Sequence, residues 1–338
     1  MSYILLTGGA GYIGSHTALE LLNAGYQVLS FDNFSNSSDM ALKRVEQLTG
    51  KQIVSLSGDI RDETALRQLF TDYNISAVVH FAGLKAVGES TQIPLHYYDN
   101  NVAGTVTLCR VMREFNIKTL VFSSSATVYG DAKKVPIPET AERSATNPYG
   151  QSKLMIEHIL EDLVCAEPDW GITLLRYFNP VGSHDSGQIG EDPNGIPNNL
   201  MPFISQVAVG KRDELSVFGD DYATHDGTGV RDYIHVVDLA RGHVKALQYL
   251  EKHRGIEAIN LGTGTGYSVL DMVNAFSRVN NIAVPYQIAP RRAGDIAVCF
   301  AEPTKAKTLL GWQAKKTLDD MVRDSWRWQS ANPNGYNN

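Results

Sequence analysis

Short apolar runs alternate with amphipathic stretches through the first half of the chain. The runs at 4–6, 28–31, 53–56, 78–81, 120–122 and 172–175 are brief, mostly continuous and rich in β-branched or aromatic residues. That is the pattern of strands covered on both faces. Between them, 12–24, 39–49, 62–72, 95–115 and 149–165 carry helical patterns. Such alternation predicts βαβ units with right-handed crossovers, hence an α/β fold built on a doubly wound parallel sheet. A ligand is expected beyond the carboxyl ends of its strands.

The texture changes after about residue 176, where Pro180, Gly182, Gly187, Gly190, Pro193, Gly195, Pro197 and Pro202 punctuate the chain. Residues 1–176 are therefore expected to form a nucleotide-binding domain and 177–338 a smaller α/β substrate domain. A buried-looking run at 256–261 points to a segment within 230–262 that returns to the first sheet. Asn198 and Asn199 could cap a helix running toward Val209. The polar tail 332–338 is expected to fray.

The chain has 338 residues, 43% of them hydrophobic, and a net charge of −7 with both signs interspersed. Without a long basic run, neither a nucleic acid nor a membrane surface is the expected partner. Holding an anionic ligand would then need local Arg, Lys or backbone donors. Cys109, Cys165 and Cys299 are far apart and form no CxxC pair, so neither a disulfide framework nor a metal site is expected. No stretch approaches the ~20 apolar residues of a membrane span. The N-terminus lacks a signal pattern, and cytoplasm is the expected compartment.

The first strand runs into Gly8-Gly9-Ala10-Gly11-Tyr12-Ile13-Gly14 and then a helix. This G-x-x-G-x-x-G spacing permits a tight turn, backbone approach to a pyrophosphate, and close helix–strand packing. The helix N-terminus adds N–H donors and a positive dipole end. Asp32 ends the second run, eighteen residues beyond Gly14, with no Arg or Lys immediately beside it. A carboxylate there accepts from ribose hydroxyls and repels a 2′-phosphate, which favours NAD over NADP. It could also serve as a turn or cap residue. Asp59 and Ile60 follow the third run; Asp59 lies near the adenine or caps the helix starting near Asp62.

Tyr149 and Lys153 stand at i and i+4 and share one helix face. A tyrosine near pKa ~10 is a poor base at neutrality. A neighbouring ammonium and the positive ring of an oxidised nicotinamide both stabilise its phenolate. Lowering the pKa to about 7 requires ~4 kcal/mol of differential stabilisation. Ser123, Ser124 and Ser125 follow the fifth run, where a hydroxyl could bond a substrate oxygen as its charge changes. Spacing does not decide which serine faces inward, and an ST-turn is expected at Ser123 or Ser124.

These motifs together resemble the extended short-chain dehydrogenase/reductase family, with its Rossmann-like sheet. The strings FAGLKAVGES (81–90), YYDNNV (97–102), SSSATVYG (123–130), RYFNP (176–180), GIPNNLMP (195–202), VRDYIHV (230–236) and PRRAGD (290–295) narrow the resemblance to its UDP-hexose 4-epimerase branch, over essentially the whole chain. The resemblance implies an isomerase that oxidises and re-reduces carbon 4 of UDP-glucose or UDP-galactose with tightly bound NAD. It implies Ser125 as catalytic serine, Tyr149 as base and Lys153 as its partner, all three also touching cofactor or substrate. It places Gly8, Gly11, Tyr12, Ile13, Gly14, Asp32, Asn33, Ser35, Asn36, Ser37, Asp59, Ile60, Phe81, Ala82, Gly83, Lys85, Asn100 and Phe178 at NAD positions. Asn179, Asn199, Leu200, Ser216, Val217, Phe218, Arg231, Arg292, Asp295 and Cys299 fall at UDP-sugar positions. Arg231 and Arg292 are the local cations that a diphosphate needs, although Arg231 could pair with Asp232 instead.

Many bacterial relatives carry a bulky Tyr at the position of Cys299. A small residue there goes with room for a 2-acetamido group, so UDP-GlcNAc and UDP-GalNAc are expected as further, or even primary, substrates. A nucleotide-sugar 4,6-dehydratase would share the loop and the Tyr–Lys pair. It needs an acid pair after the fifth strand, where Ala126 and Thr127 stand. A non-catalytic NAD sensor would have no reason to keep Ser125, Tyr149 and Lys153 together. His225 and His235 are expected to be solvated or core side chains. A homodimer is expected, with the helices near 95–115 and 149–165 as interface candidates.

Overall fold

The computed structural model describes residues 2–336 except 194, 196, 198 and 293. In chain order the first half comprises β1 (Tyr3–Thr7), α1 (Tyr12–Asn23), β2 (Gln27–Asp32), α2 (Asp39–Thr49), β3 (Val54–Ser57), α3 (Glu63–Asp72), β4 (Ile75–His80), α4 (Val87–Gln92), α5 (Pro94–Tyr97), α6 (Gly104–Glu114), β5 (Thr119–Ser125), α7 (Pro148–Ala166) and β6 (Gly171–Tyr177). The second half adds β7 (Asn179–Val181), α8 (Leu200–Ala208), β8 (Leu215–Phe218), β9 (Val230–Arg231), β10 (Tyr233–His235), α9 (Val236–Leu250), β11 (Gly255–Leu261), β12 (Tyr267–Ser268), α10 (Val269–Asn280), β13 (Tyr286–Ala289), β14 (Val298–Cys299), α11 (Thr304–Leu310) and α12 (Leu318–Ala331).

Seven strands form one parallel sheet in the order β11-β6-β5-β4-β1-β2-β3. The order reverses direction between β1 and β4, which opens a crevice at their carboxyl ends. The expected returning strand is β11, paired with β6 from Gly255–Gly171 to Leu261–Tyr177. Helix α9, which precedes it, packs on α1. One apolar cluster on each face covers the sheet, around Leu6, Val79 and Val121 on one side and Leu5, Val78 and Leu120 on the other. These adjacent residues split between two cores because side chains alternate along a strand. β3 lies at the sheet edge, so its run reads alternately rather than continuously buried.

The expected helix over 95–115 is present as one helical run from Pro94 to Glu114, with a wider turn inside it. Pro94 starts the short α5, a π-helical turn over Tyr98–Ala103 follows, and only then does α6 run. The wider turn places Asn100 and Asn101 side by side in the interior. The tail is also not frayed over its described part. Tyr336 is buried against Trp328, its hydroxyl accepts from Gly190 N–H at 3.1 Å, and the Arg44 guanidinium sits over both rings. Asn199 stands at the N-cap of α8, but its side chain makes no cap bond; Asn198 lies outside the described residues.

Candidate active site

The glycine loop closes on the neighbouring strand end. Gly8 has φ +72°, and a Cβ there would lie 2.7 Å from Ala82 N. A Cβ on Gly14 would lie 2.4 Å from Gly8 O, so α1 approaches β1 at glycine distance. The N-cap of α1 is Gly11, which supplies no side-chain cap. Asp32, buried at the end of β2, accepts from Ala10 N–H at 3.0 Å, and from Phe34 N–H and Ser37 Oγ at 2.9 Å. It thus shapes the turn and also ties β2 to the glycine loop. The chain's own donors, and a cradle that any Cβ would fill, fit an adenine dinucleotide at the crevice.

Asp59 does not cap α3; Asp62 does, accepting from Thr64 and Ala65 N–H. The Arg61 guanidinium holds the Asp59 carboxyl well below the usual range, and Asn33 donates to it at 3.1 Å. Ile60 points into the core beneath Gly104, so only its backbone is free to face a ligand. Ile13 is likewise packed on the core. Ser35 and Asn36 lie on the exposed or half-buried loop after β2. Phe81 packs on His243, with centroids 4.9 Å apart. Lys85 pairs with Glu191 at 3.2 Å, and the Tyr12 hydroxyl donates to Gly182 O at 2.6 Å.

Asn147 caps α7 by accepting from Gly150 N–H at 2.9 Å, which orients Tyr149 and Lys153 toward the end of β5. Lys153, 4% exposed, donates to Ser123 O at 2.7 Å and stands 4.8 Å from the centre of the Phe122 ring. A Cβ on Gly83 would lie 3.6 Å from Lys153 Nζ, so the strand β4 loop reaches the same point. Burial lowers the Lys153 pKa to about 8, opposed by the Glu157 carboxylate. Burial pushes the Tyr149 hydroxyl up, and its bond with Ser125 pulls it back. The three serines have separate duties. The Ser123 carbonyl holds Lys153, buried Ser124 donates to Glu157 at 2.6 Å, and Ser125 meets Tyr149. The ST-turn belongs to Ser125, which accepts from Thr127 N–H at 3.2 Å, and not to Ser123 or Ser124. Sequence reading missed Asn101, which accepts from Leu84 N–H at 2.8 Å and donates to Ser152 at 3.1 Å. A buried polar side chain inside an irregular turn leaves no periodic signal.

The remaining expected positions lie in the second half of the chain. Phe178 is buried and Asn179 opens β7, which pairs with β10. In β8, Val217 faces the core while Ser216 and Phe218 face the opposite side. The Arg292 guanidinium lies 4.9 Å from the Phe218 ring centre and pairs with Asp295 at 2.9 Å. Leu200 packs beside α8's core, and Asn199 donates to Glu191 at 2.8 Å. Arg231 does not pair with Asp232; it donates to Val230 O at 2.9 Å. Asp232 is consumed by N–H donors of Thr263, Gly264 and Ala301. Cys299 is buried among Val128, Leu154 and Phe178. His225 is exposed beside Asp226 and Asp271, and His235 is buried as the N-cap of α9. No helix among the described residues is long and apolar enough to cross a membrane.

A family model described as GDP-mannose 4,6 dehydratase matches residues 5–325. The UDP-glucose 4-epimerase of Bacillus subtilis is 62% identical over 333 residues, 98% of each chain. The crystal structure of UDP-glucose 4-epimerase from Bifidobacterium longum in complex with NAD+ and UDP is 55% identical. It superposes with a TM-score of 0.96 over 99% of this chain and 100% of that one. The enzyme from Stenotrophomonas maltophila, with bound NAD and formylated UDP-arabinopyranose, is 50% identical with a TM-score of 0.96, covering 98% of this chain and 99% of that one.

Proposed function

The chain belongs to the UDP-glucose 4-epimerase family, and we propose that it interconverts UDP-glucose and UDP-galactose, with NAD as its resident cofactor. The observation that carries this is the convergence of Ser125, Tyr149 and Lys153 at the end of β5, beside the loop after β4 on which the glycine loop closes. Gly8, Gly11, Gly14, Asp32, Lys85 and Phe178 are among the residues that hold the cofactor. The NAD-binding unit is then 1–176 with the 230–262 return, and the rest of 177–338 binds UDP-sugar.

Tyr149, as phenolate, takes the proton of the hexose 4-hydroxyl, and Ser125 bonds the oxygen that becomes a ketone. The Lys153 ammonium stabilises the phenolate. When bound, NAD supplies the acceptor and later the donor of the carbon 4 hydride. Arg231 and Arg292 grip the diphosphate, so binding energy sits in the UDP and the 4-keto hexose is free to turn over. With the opposite face of carbon 4 now turned toward the cofactor, Tyr149 returns the proton to the carbon 4 oxygen. Although the matching family model bears a dehydratase description, Ala126 and Thr127 provide no acid for eliminating water. Product analysis with UDP-galactose and no added NAD tests this reading; absence of UDP-glucose overturns it. Tyr149→Phe should lose epimerisation while still binding UDP.

A second reading adds UDP-GlcNAc and UDP-GalNAc, favoured by the small, buried Cys299 in the apolar cluster that also holds Phe178. The protein acts as a cytoplasmic homodimer in this proposal. Exposed Val87, Ile93, Leu95 and Met155 lie on or between α4, α5 and α7, which pack together and offer the apolar face.

A further inference from the structure

Helix α7 places Tyr149, Lys153 and Glu157 at four-residue steps, one turn after another on a single buried face. Each side chain meets a different residue of the β5 end: Tyr149 meets Ser125, Lys153 the Ser123 carbonyl, and Glu157 the Ser124 hydroxyl. The third pair has no part in the proposed chemistry, yet it is the most heavily bonded. The Glu157 side chain has no exposed surface. Arg176 of β6 donates to both its oxygens, Nε to Oε1 at 2.9 Å and Nη2 to Oε2 at 2.7 Å. Ser124 adds a bond at 2.6 Å and Arg143 one at 3.1 Å. Arg176 continues to the Tyr129 hydroxyl at 2.9 Å, which donates to Asn260 of β11 at 2.7 Å. Three strands and the helix are thus tied through one carboxylate.

We propose that Glu157 is a positioning residue for the epimerisation: its buried carboxylate clamps the serine strand end onto α7 and sets a negative charge one helical turn from Lys153. The proposal rests on the 4-epimerase reading above. Burial pushes Glu157 up, but Arg176, Ser124 and Arg143 together hold its carboxyl below the ordinary value, so it stays ionised. The groups around Lys153 do not supply that charge otherwise. β4 contributes His80, kept neutral by burial and then by Lys153 itself. β5 contributes the Phe122 ring and the Ser123 carbonyl, and the turn before α6 contributes the uncharged Asn101, while Tyr177 of β6 lies by Ser123 and Tyr149. On α5, Tyr97 is bonded to Glu89 of α4 and faces Tyr149. Around Glu157 the charges are Arg176, Arg143, Lys153 one helical turn away, Glu161 beyond Arg143 at 2.7 Å, and Glu139, whose carboxylate accepts from Asn260 N–H at 2.9 Å and acts on Tyr129. Glu157 is the only carboxylate that Arg176 bonds among the described residues, so removing its charge leaves that guanidinium without an ionic partner in the interior.

The consequence has a sign. Glu157→Gln keeps the shape and removes the charge, so the ammonium of Lys153 and the phenol of Tyr149 both lose their protons more readily. The acidic and alkaline limbs of kcat should then move together to lower pH by about one unit, while KM for UDP-galactose stays within about twofold, because UDP is gripped elsewhere. Arg143→Gln removes a partly exposed cation from the same carboxylate and should move both limbs upward by a smaller amount. Limbs at their wild-type positions in Glu157→Gln overturn the proposal, even if the rate falls. If that variant does not fold, unshifted limbs in Arg143→Gln overturn it. The wild-type enzyme in the same assay separates the two failures: a wild type that makes no UDP-glucose overturns the 4-epimerase reading instead.

Discussion

Cys299 lies directly across from Arg231 in the register of the parallel strands β14 and β9. The small side chain and the cation proposed to hold the diphosphate are therefore neighbours in one three-stranded sheet. Cys299→Tyr should abolish turnover of UDP-GlcNAc and spare UDP-galactose. Separate rate measurements on the two sugars check this, and equal loss of both would refute the size gate. The added ring must fit among Val128, Leu154 and Phe178, so thermal melting of the variant should accompany the rates.

The Lys153 ammonium is retained below a pKa of about 8 and lost as pH rises through it. Epimerase activity should fall along that alkaline limb. Lys153→Met should remove the limb and lower kcat on the order of 10²–10³-fold. A pH profile of the variant with the wild-type alkaline limb would assign the titration elsewhere.

Gly8 can accept no side chain, because its φ is +72° and a Cβ would press on the backbone of Ala82. Backbone cannot swing away as a long side chain can. Gly8→Ala should separate the β1 and β4 loops and release the cofactor, seen as loss of activity restored by excess NAD. Retention of NAD through gel filtration at the wild-type level would count against the cradle.

His80 bonds Thr7 at 2.6 Å and Thr105 at 2.9 Å in the interior. Burial, then Lys153, lowers its pKa from 6.5 to about 3. The unfolded chain therefore takes up a proton that the folded one refuses. The stability from neutral His80 is complete above 6.5 and declines as pH falls toward 3. Near pH 5 the loss should be about 2 kcal/mol. Denaturant titrations of wild type and His80→Gln at pH 5 and 7 check this. The difference between the two pH values should shrink in the variant, and an equal difference in both proteins would place the proton elsewhere.

Much of the molecule was legible because it is local. The apolar runs, the glycine spacing, Asp32 at a strand end and the i, i+4 pair of Tyr149 and Lys153 are written in consecutive residues, and period decides which face each residue takes. The return of β11 was visible as a strand-like run at 256–261 ahead of Gly262 and Gly264. The wider helical turn at Tyr98–Ala103 was not, since a π-turn needs only one extra residue and leaves the amphipathic pattern intact.

By itself, then, the sequence determined the parallel α/β sheet, the dinucleotide loop and the identity of the Tyr–Lys pair, through interactions between residues a few positions apart. Tertiary structure alone decided which of three adjacent serines meets which side chain of α7, that Arg176 rather than solvent neutralises Glu157, that Arg231 ignores its neighbour Asp232, and that it faces Cys299. Those outcomes depend on strand register and on how α7 sits over β5. Both arise from packing between segments distant in the chain, where one residue of slip would turn every side chain to the other face.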